Sequence, residues 1–216
     1  KNPAKSYMWV FSSGEYEQAH PIRLYEYQPP QWQFAEDFLK GFNGILQTDG
    51  YTGYQKAPCH AHALCWAHAR RYFIEAIPPD LPKEDLLGSI CKKAIERINE
   101  LCFDKGLAGL TKEEREEQRL QLEKEKLEAY FAWLQDIELN VLPKSKLGKA
   151  VQYSLSHKEA LQAFLKSGNA ALSNNICERA IRNFTIGRKN WLFSDSPKGA
   201  KASAAVYSII ETANVN

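Results

Sequence analysis

No run of apolar residues approaches the roughly 20 that a membrane helix needs, and no signal peptide opens the sequence. Membrane and secreted proteins are thereby disfavoured, and a cytoplasmic location is expected. Cysteine is sparse and odd in number: the five residues Cys59, Cys65, Cys91, Cys102 and Cys177 are scattered, which favours reduced thiols over a disulfide frame. There is no phosphate loop, dinucleotide fingerprint or serine-nucleophile motif, and no repeat or low-complexity tract. An excess of one charge is lacking too. The 28 Lys and Arg against 26 Asp and Glu leave a net +2, so any nucleic-acid contact must come from local basic clusters and not from a global field. The sequence opens on Lys1 and not on Met, and the natural N-terminus is expected to lie upstream. What is present is ordinary for a globular chain. The 216 residues are 44% hydrophobic and 25% charged, enough for one substantial domain or one domain carrying an insertion.

The first part reads as strands. Tyr7 to Phe11 is aromatic and β-branched, Ser12-Ser13-Gly14 breaks it, and Ile22 to Tyr27 pairs with it as a hairpin ended by Pro29-Pro30. Ala35, Phe38, Leu39 and Phe42 recur at helical spacing. Gly44 to Asp49 is a short buried-type strand closed by Gly50, and Ala63 to Trp66 forms another, followed by a helix from about His68 to Ile77. Beyond Pro78-Pro79 the pattern turns helical. A stripe that includes Leu87, Ile90, Ile98 and Leu101 runs from Glu84 to Cys102, and Thr111 with Glu114 has the spacing of a capping box opening a long helix. The run Glu113 to Glu128 mixes both signs as a solvated face does, and an apolar side is expected only near Tyr130, Phe131 and Leu134. Two helices follow around Leu147–Leu155 and Ala160–Leu165, then one from Asn174-Asn175 with Cys177, Ile181 and Phe184 on its apolar face, and a last from about Lys201 to Ala213. This order indicates an α/β layered domain in three parts: core residues 1–78, an all-helical insertion at 79–143, and core residues 144–216.

Two carboxylates stand where chemistry is possible. Asp49 ends a buried strand, a place from which α/β proteins reach into a cleft, although Asp-Gly is also a common turn pair. Glu178 lies in the first turn of a helix. It has capping-box spacing from Asn175 and i,i+4 spacing to Arg182, and from spacing alone the structural role is favoured. Arg179, Arg182, Arg188 and Lys189, with Trp191, form the densest basic and aromatic cluster, suited to neutralising phosphates and stacking on a base, or simply to solvent. Cys65 and His68, with Cys59, His60 and His62 upstream, invite a zinc reading. Their irregular spacing argues against it, and Cys65 is expected to pack as a small apolar group.

Three ordered stretches resemble the insertion sequence 66 family of transposases. Phe38 to Tyr54, containing Leu46-Gln47-Thr48-Asp49-Gly50-Tyr51, looks like the family's second-aspartate block. Cys65 to Phe73 is similar to the block that follows it, and Asn174 to Arg182 with Gly187 to Phe193 looks like the glutamate block. The resemblance implies a ribonuclease H-like fold of the retroviral integrase superfamily: a mixed sheet with flanking helices and an all-helical insertion. It implies an Asp, Asp, Glu catalytic set in which Asp49 is the second aspartate and Glu178 the glutamate. The first aspartate belongs to a strand before Tyr7. No Asp precedes Asp37, so this chain by itself is expected to lack strand-transfer activity. Ser173 stands where the family commonly has Asp.

The reaction so implied is phosphoryl transfer on double-stranded DNA, at transposon ends and target. Two Mg²⁺ (or Mn²⁺) ions roughly 4 Å apart would be held by the carboxylates, and phosphates would be clamped by Arg179, Arg182, Arg188 and Lys189. Cys65 and His68 fall near the site. A homo-oligomer on DNA is expected, and no membrane partner. The rivals are a non-catalytic DNA-binding module of the same fold, which needs no metal, and a nuclease that hydrolyses without joining.

Overall fold

A computed structural model of the chain describes residues 7–16, 19–28, 32–82, 85, 89–101, 106–107, 109–191 and 196–216, with the side chains of Trp32 and residues 188–191 outside that set. In chain order the strands are β1 (Tyr7–Ser12), β2 (Arg23–Gln28), β3 (Ile45–Thr48) and β4 (Ala61–Leu64). The helices are α1 (Trp32–Phe38), α2 (Trp66–Glu75), α3 (Ile90–Glu100), α4 (Lys112–Glu138), α5 (Lys146–Ser156), α6 (Lys158–Gln162), α7 (Asn175–Trp191) and α8 (Pro197–Ala213), with 3₁₀ turns at Thr52–Tyr54 and Ala163–Lys166. None of these helices is long and apolar enough to cross a membrane. The chain divides into two compact units, one of Lys1–Gly44, Gly50–His60 and Asn174–Asn216, the other of Ile45–Asp49 and Ala61–Ser173.

In the first unit β1 and β2 form the expected antiparallel hairpin, with Val10 opposite Tyr25. One face carries Trp9 and Phe11 onto α1 and the 3₁₀ turn. Trp9 meets Phe34 at 5.3 Å and the edge of Tyr54 at 5.2 Å, and Phe11 stacks on Phe38 at 4.4 Å. The other face, Val10 with Tyr25, packs against Ala180 of α7 and Ala204 of α8. The outer edge of β2 is closed by side chains instead of a strand. Ser208 Oγ accepts from Tyr25 N (2.8 Å), and Thr212 Oγ1 accepts from Arg23 N (3.0 Å) and donates to Arg23 O (2.9 Å). A helix that satisfies edge amides in this way removes a site of unwanted strand pairing. Among the described residues the opposite edge of the hairpin, along β1, has no strand beside it.

In the second unit β3 and β4 run parallel, Thr48 opposite Leu64. Around them α2 to α6 bury one contiguous core that includes Trp66, Phe73, Ile98, Phe131, Leu161 and Phe164. The Trp66 indole spends its N–H on the Leu161 carbonyl at 2.9 Å. The helix expected over 84–102 is described as Ile90–Glu100, and Leu87 and Cys102 lie outside the described residues. The capping box at α4 is realised in both directions, and its amide and hydroxyl donors hold the Glu114 carboxyl below the usual carboxylate range.

The charged stretch of α4 departs from expectation. Arg115, Arg119 and Glu123 are buried, Arg119 at 1% exposure and Glu123 at 0%, and with Leu127, Phe131 and Leu134 they continue one inward stripe. Burial of an arginine is tolerable only where its donors are spent. Arg115 donates to the carbonyls of Leu107, Leu110 and Gly168, and Arg119 to those of Ser167 and Ala170. Glu123 accepts from Lys126 at 3.2 Å. The solvated face is thus confined to the remaining positions of Glu113 to Glu128.

Candidate functional site

The strand β3 delivers Asp49 to its carboxyl-terminal tip, where the side chain is exposed. The next residue, Gly50, has φ +92°, a left-handed conformation that glycine adopts without penalty. The turn reading of Asp-Gly is therefore correct for Gly50, and it leaves Asp49 at the strand tip. Because β3 and β4 are parallel and in register through Thr48 and Leu64, Cys65 leaves β4 at the same end. It is buried and occupies the N-cap position of α2 without a side-chain capping bond. His68 follows in the first turn of α2, half-buried. The Tyr153 hydroxyl of α5 lies within electrostatic reach of this end. Its pKa is pushed up to about 12, first by burial and then by Tyr72, Cys65 and Asp49. Tyr153 also stacks on Tyr72 at 4.5 Å. Composition and spacing carried no signal for Tyr153, whose proximity is tertiary.

Glu178 is placed by α7. The first intrahelical bond runs from Glu178 N to Asn174 O, so Asn174 is the capping position and Asn175 the first helical residue. Capping-box register would pair Asn174 with Cys177, and the expected pairing of Asn175 with Glu178 is out of step by one. The helix docks through Cys177, Ala180 and Phe184. The Cys177 thiol donates to Val10 O at 3.2 Å, Ala180 O accepts from the buried Tyr25 hydroxyl at 2.7 Å, and Phe184 lies 6.2 Å from the Tyr25 ring. Ile181, expected on the apolar face, is 41% exposed, and Ala180 takes the buried place instead. With that rotation fixed, Glu178 is half-buried at the flank of the docked face, and Arg179 and Arg182 project to solvent. The backbone of α7 continues through Arg188 and Lys189, whose side chains lie outside the described residues, as do Leu192 and Phe193 altogether.

The two carboxylates are hard oxygen donors of the kind that Mg²⁺ and Mn²⁺ take, and they suit such ions in kind. In number they are fewer than a three-carboxylate set, and among the described residues no group of three or more His, Cys, Asp or Glu gathers as a metal cradle.

Comparison with known proteins gives a family. The sequence profile described as Transposase IS66 family matches residues 1–202. Three proteins of Sinorhizobium fredii (strain NBRC 101917 / NGR234) are similar. "Uncharacterized protein y4hP" is 32% identical over 198 residues, covering 85% of this chain and 36% of that protein. "Uncharacterized protein y4jD" is 31% identical over 195 residues (84% and 36%), and "Uncharacterized protein y4qI" 35% identical over 192 residues (82% and 34%). The chain thus spans about a third of the length of these relatives. No solved structure matches it. The residues that carry the sequence resemblance, Asp49 and its flanks, Cys65 to Phe73 and the Glu178 helix, all fall within the matched span, and the chain belongs to the IS66 family of transposases.

Proposed function

We propose that this chain is part of the catalytic domain of a DDE-type DNA transposase, and that Asp49 and Glu178 are two of its metal-binding carboxylates. The observation that carries the reading is the position of Asp49, exposed at the carboxyl tip of a strand with a parallel neighbour, which is where α/β proteins place their sites. Family membership supports the reading. So does the exposure of Arg179 and Arg182 one and four residues beyond Glu178. The proposed fold is ribonuclease H-like, with residues 79–143 as a helical insertion between core segments 1–78 and 144–216. The edge of β1 that has no strand beside it among the described residues suits the pairing of a further strand, the one that would bring the first aspartate.

In this reading Asp49 and Glu178 each offer carboxylate oxygens to a divalent ion, Mg²⁺ or Mn²⁺. Bound ions would supply charge neutralisation at the phosphate and a nucleophile at neutral pH. Arg179, Arg182, Arg188 and Lys189 neutralise phosphates of double-stranded DNA at the transposon end and target, lowering the cost of bringing two polyanions together. Cys65 has a packing role at the start of α2, and His68 stands in the first turn of that helix. The reaction is strand cleavage at the insertion-sequence end, followed by attack of the freed 3′-hydroxyl on target DNA, carried out by an oligomer assembled on DNA. The test is cleavage of an end-containing duplex by the full natural protein with Mg²⁺, with Asp49→Asn and Glu178→Gln expected to abolish it.

A further inference from the structure

Helices α2 and α5 pack side by side, and between them lies a cleft of about 370 Å³ lined by Tyr72 and Glu75 of α2 and by Lys146 and Lys149 of α5. On each helix the two lining residues are three apart, the spacing that puts side chains on one face. All four are exposed. Phe73 of α2 and Ala150 and Val151 of α5 are buried in the shared core, so packing holds both walls. Every residue of the cleft, like Asp49, belongs to the unit of Ile45–Asp49 and Ala61–Ser173.

The charge on this rim is one-sided. From Leu139 to Lys158 the sequence holds Lys144, Lys146, Lys149 and Lys158 and no acidic residue. Neither Lys146 nor Lys149 forms an ion pair among the described residues, and Glu75 is the one carboxylate facing two ammonium groups. Lysines that only keep a surface soluble are interspersed with acids. Here two cations converge with an aromatic ring on a concave surface, a combination that suits a phosphate backbone. The Tyr72 ring is steadied by its stack on Tyr153 at 4.5 Å, and the Tyr153 hydroxyl lies within electrostatic reach of Asp49, so this tyrosine pair links the cleft to the tip of β3. We propose that the α2–α5 cleft binds the backbone of double-stranded DNA: Lys146 and Lys149 neutralise phosphates, Tyr72 donates its hydroxyl to a phosphate oxygen, and Glu75 opposes the contact. The inference rests on the reading of DNA as substrate and is independent of which carboxylates hold metal. The contact is to phosphates and therefore carries no base preference.

The experiment is fluorescence anisotropy of the full natural protein with a duplex carrying the insertion-sequence end, across a salt series. Lys146→Gln and Lys149→Gln should each lower the slope of log affinity against log salt by about 0.9, and the double variant by about 1.8. Glu75→Gln should do the opposite of the lysine variants and tighten binding at low salt by about twofold or more, because it removes a charge that repels phosphate. The pair Lys146→Arg and Lys149→Arg keeps both charges and should keep the wild-type slope, which separates lost charge from lost fold. A slope unchanged in the Gln double variant, or a Glu75→Gln protein that fails to bind more tightly, overturns the proposal. If the wild-type protein binds the duplex and the cleft variants bind as it does, the cleft falls and the DNA reading stands. If the wild-type protein binds no duplex, both fall.

Discussion

The hydroxyl of Tyr25, on β2, donates to the carbonyl of Ala180, in the middle of α7, at 2.7 Å. The bond is buried, and it is made to the helix that carries Glu178, two residues from the carboxylate. A strand and a helix 155 positions apart in sequence are thereby set in rotation as well as in contact. Tyr25→Phe keeps the ring and removes the donor. It should destabilise the protein by about 1 kcal/mol, because a helical carbonyl keeps its backbone partner when it loses its second. Urea unfolding with an unchanged slope and a lower midpoint would show this; an unchanged midpoint would mean that the aromatic packing alone seats α7.

Burial holds the protons of Tyr25, Tyr130 and Tyr153 more tightly than the ordinary tyrosine value, with Glu211 adding to the effect at Tyr25. The unfolded chain releases these protons near pH 10, roughly the ordinary tyrosine value, and the folded chain does so only at higher pH. Above about pH 10 the unfolded state therefore binds fewer protons and stability falls with pH. The Tyr153 contribution is complete below the unfolded value and lost as pH rises through about 12. Unfolding midpoints measured from pH 8 upward should decline along this limb, and Tyr130→Phe should flatten it.

Arg119 and Glu125 share a helix and differ in surroundings. Arg119→Ala strands the Ser167 and Ala170 carbonyls and opens a cavity in the core, and it should cost about 2 kcal/mol or more. Glu125 is exposed, and Glu125→Ala should stay within about 0.5 kcal/mol. Equal effects in denaturant unfolding would contradict the buried-stripe description of α4. Gly168→Ala should be as damaging as Arg119→Ala, since its Cβ would clash with the Lys112 backbone carbonyl.

Arg179 and Arg182 are exposed on α7. If each neutralises one phosphate, alanine at either position should weaken duplex binding for all sequences and reduce the slope of log affinity against log salt by about 0.9. Fluorescence anisotropy across a salt series reads both. A slope unchanged in the double variant would remove these arginines from the interface.

Local chemistry was readable from the sequence where the determinants are local. The capping box of Thr111 and Glu114 depends on residues three apart, and it is present as expected. The hairpin follows from alternation, and the abrupt end of β3 follows from Gly50. Reading failed where burial is decided by distant partners. Arg115, Arg119, Glu123, Leu127 and Phe131 recur every four residues, the spacing of one helix face. A composition of mixed charge hid that spacing, because the carbonyls that absorb the arginines come from the 167–170 segment. Ile181 has the right spacing for the core and is displaced because the smaller Ala180 permits the close approach of Tyr25. Both carboxylates stand out by position, and only the resemblance gives them a catalytic role. Spacing alone left each with a structural alternative, and the fold removes one of these by moving the cap of α7 to Asn174.

The central claim is that Asp49 and Glu178 serve one metal-dependent reaction on DNA. The direct measurement is Mg²⁺-dependent cleavage of a duplex carrying the insertion-sequence end by the full natural protein, compared with Asp49→Asn and Glu178→Gln, with duplex affinity measured in parallel. The account predicts that each substitution alone abolishes cleavage and leaves duplex affinity within about threefold, a change below roughly 0.7 kcal/mol. Cleavage that persists in either variant at the wild-type rate would contradict it.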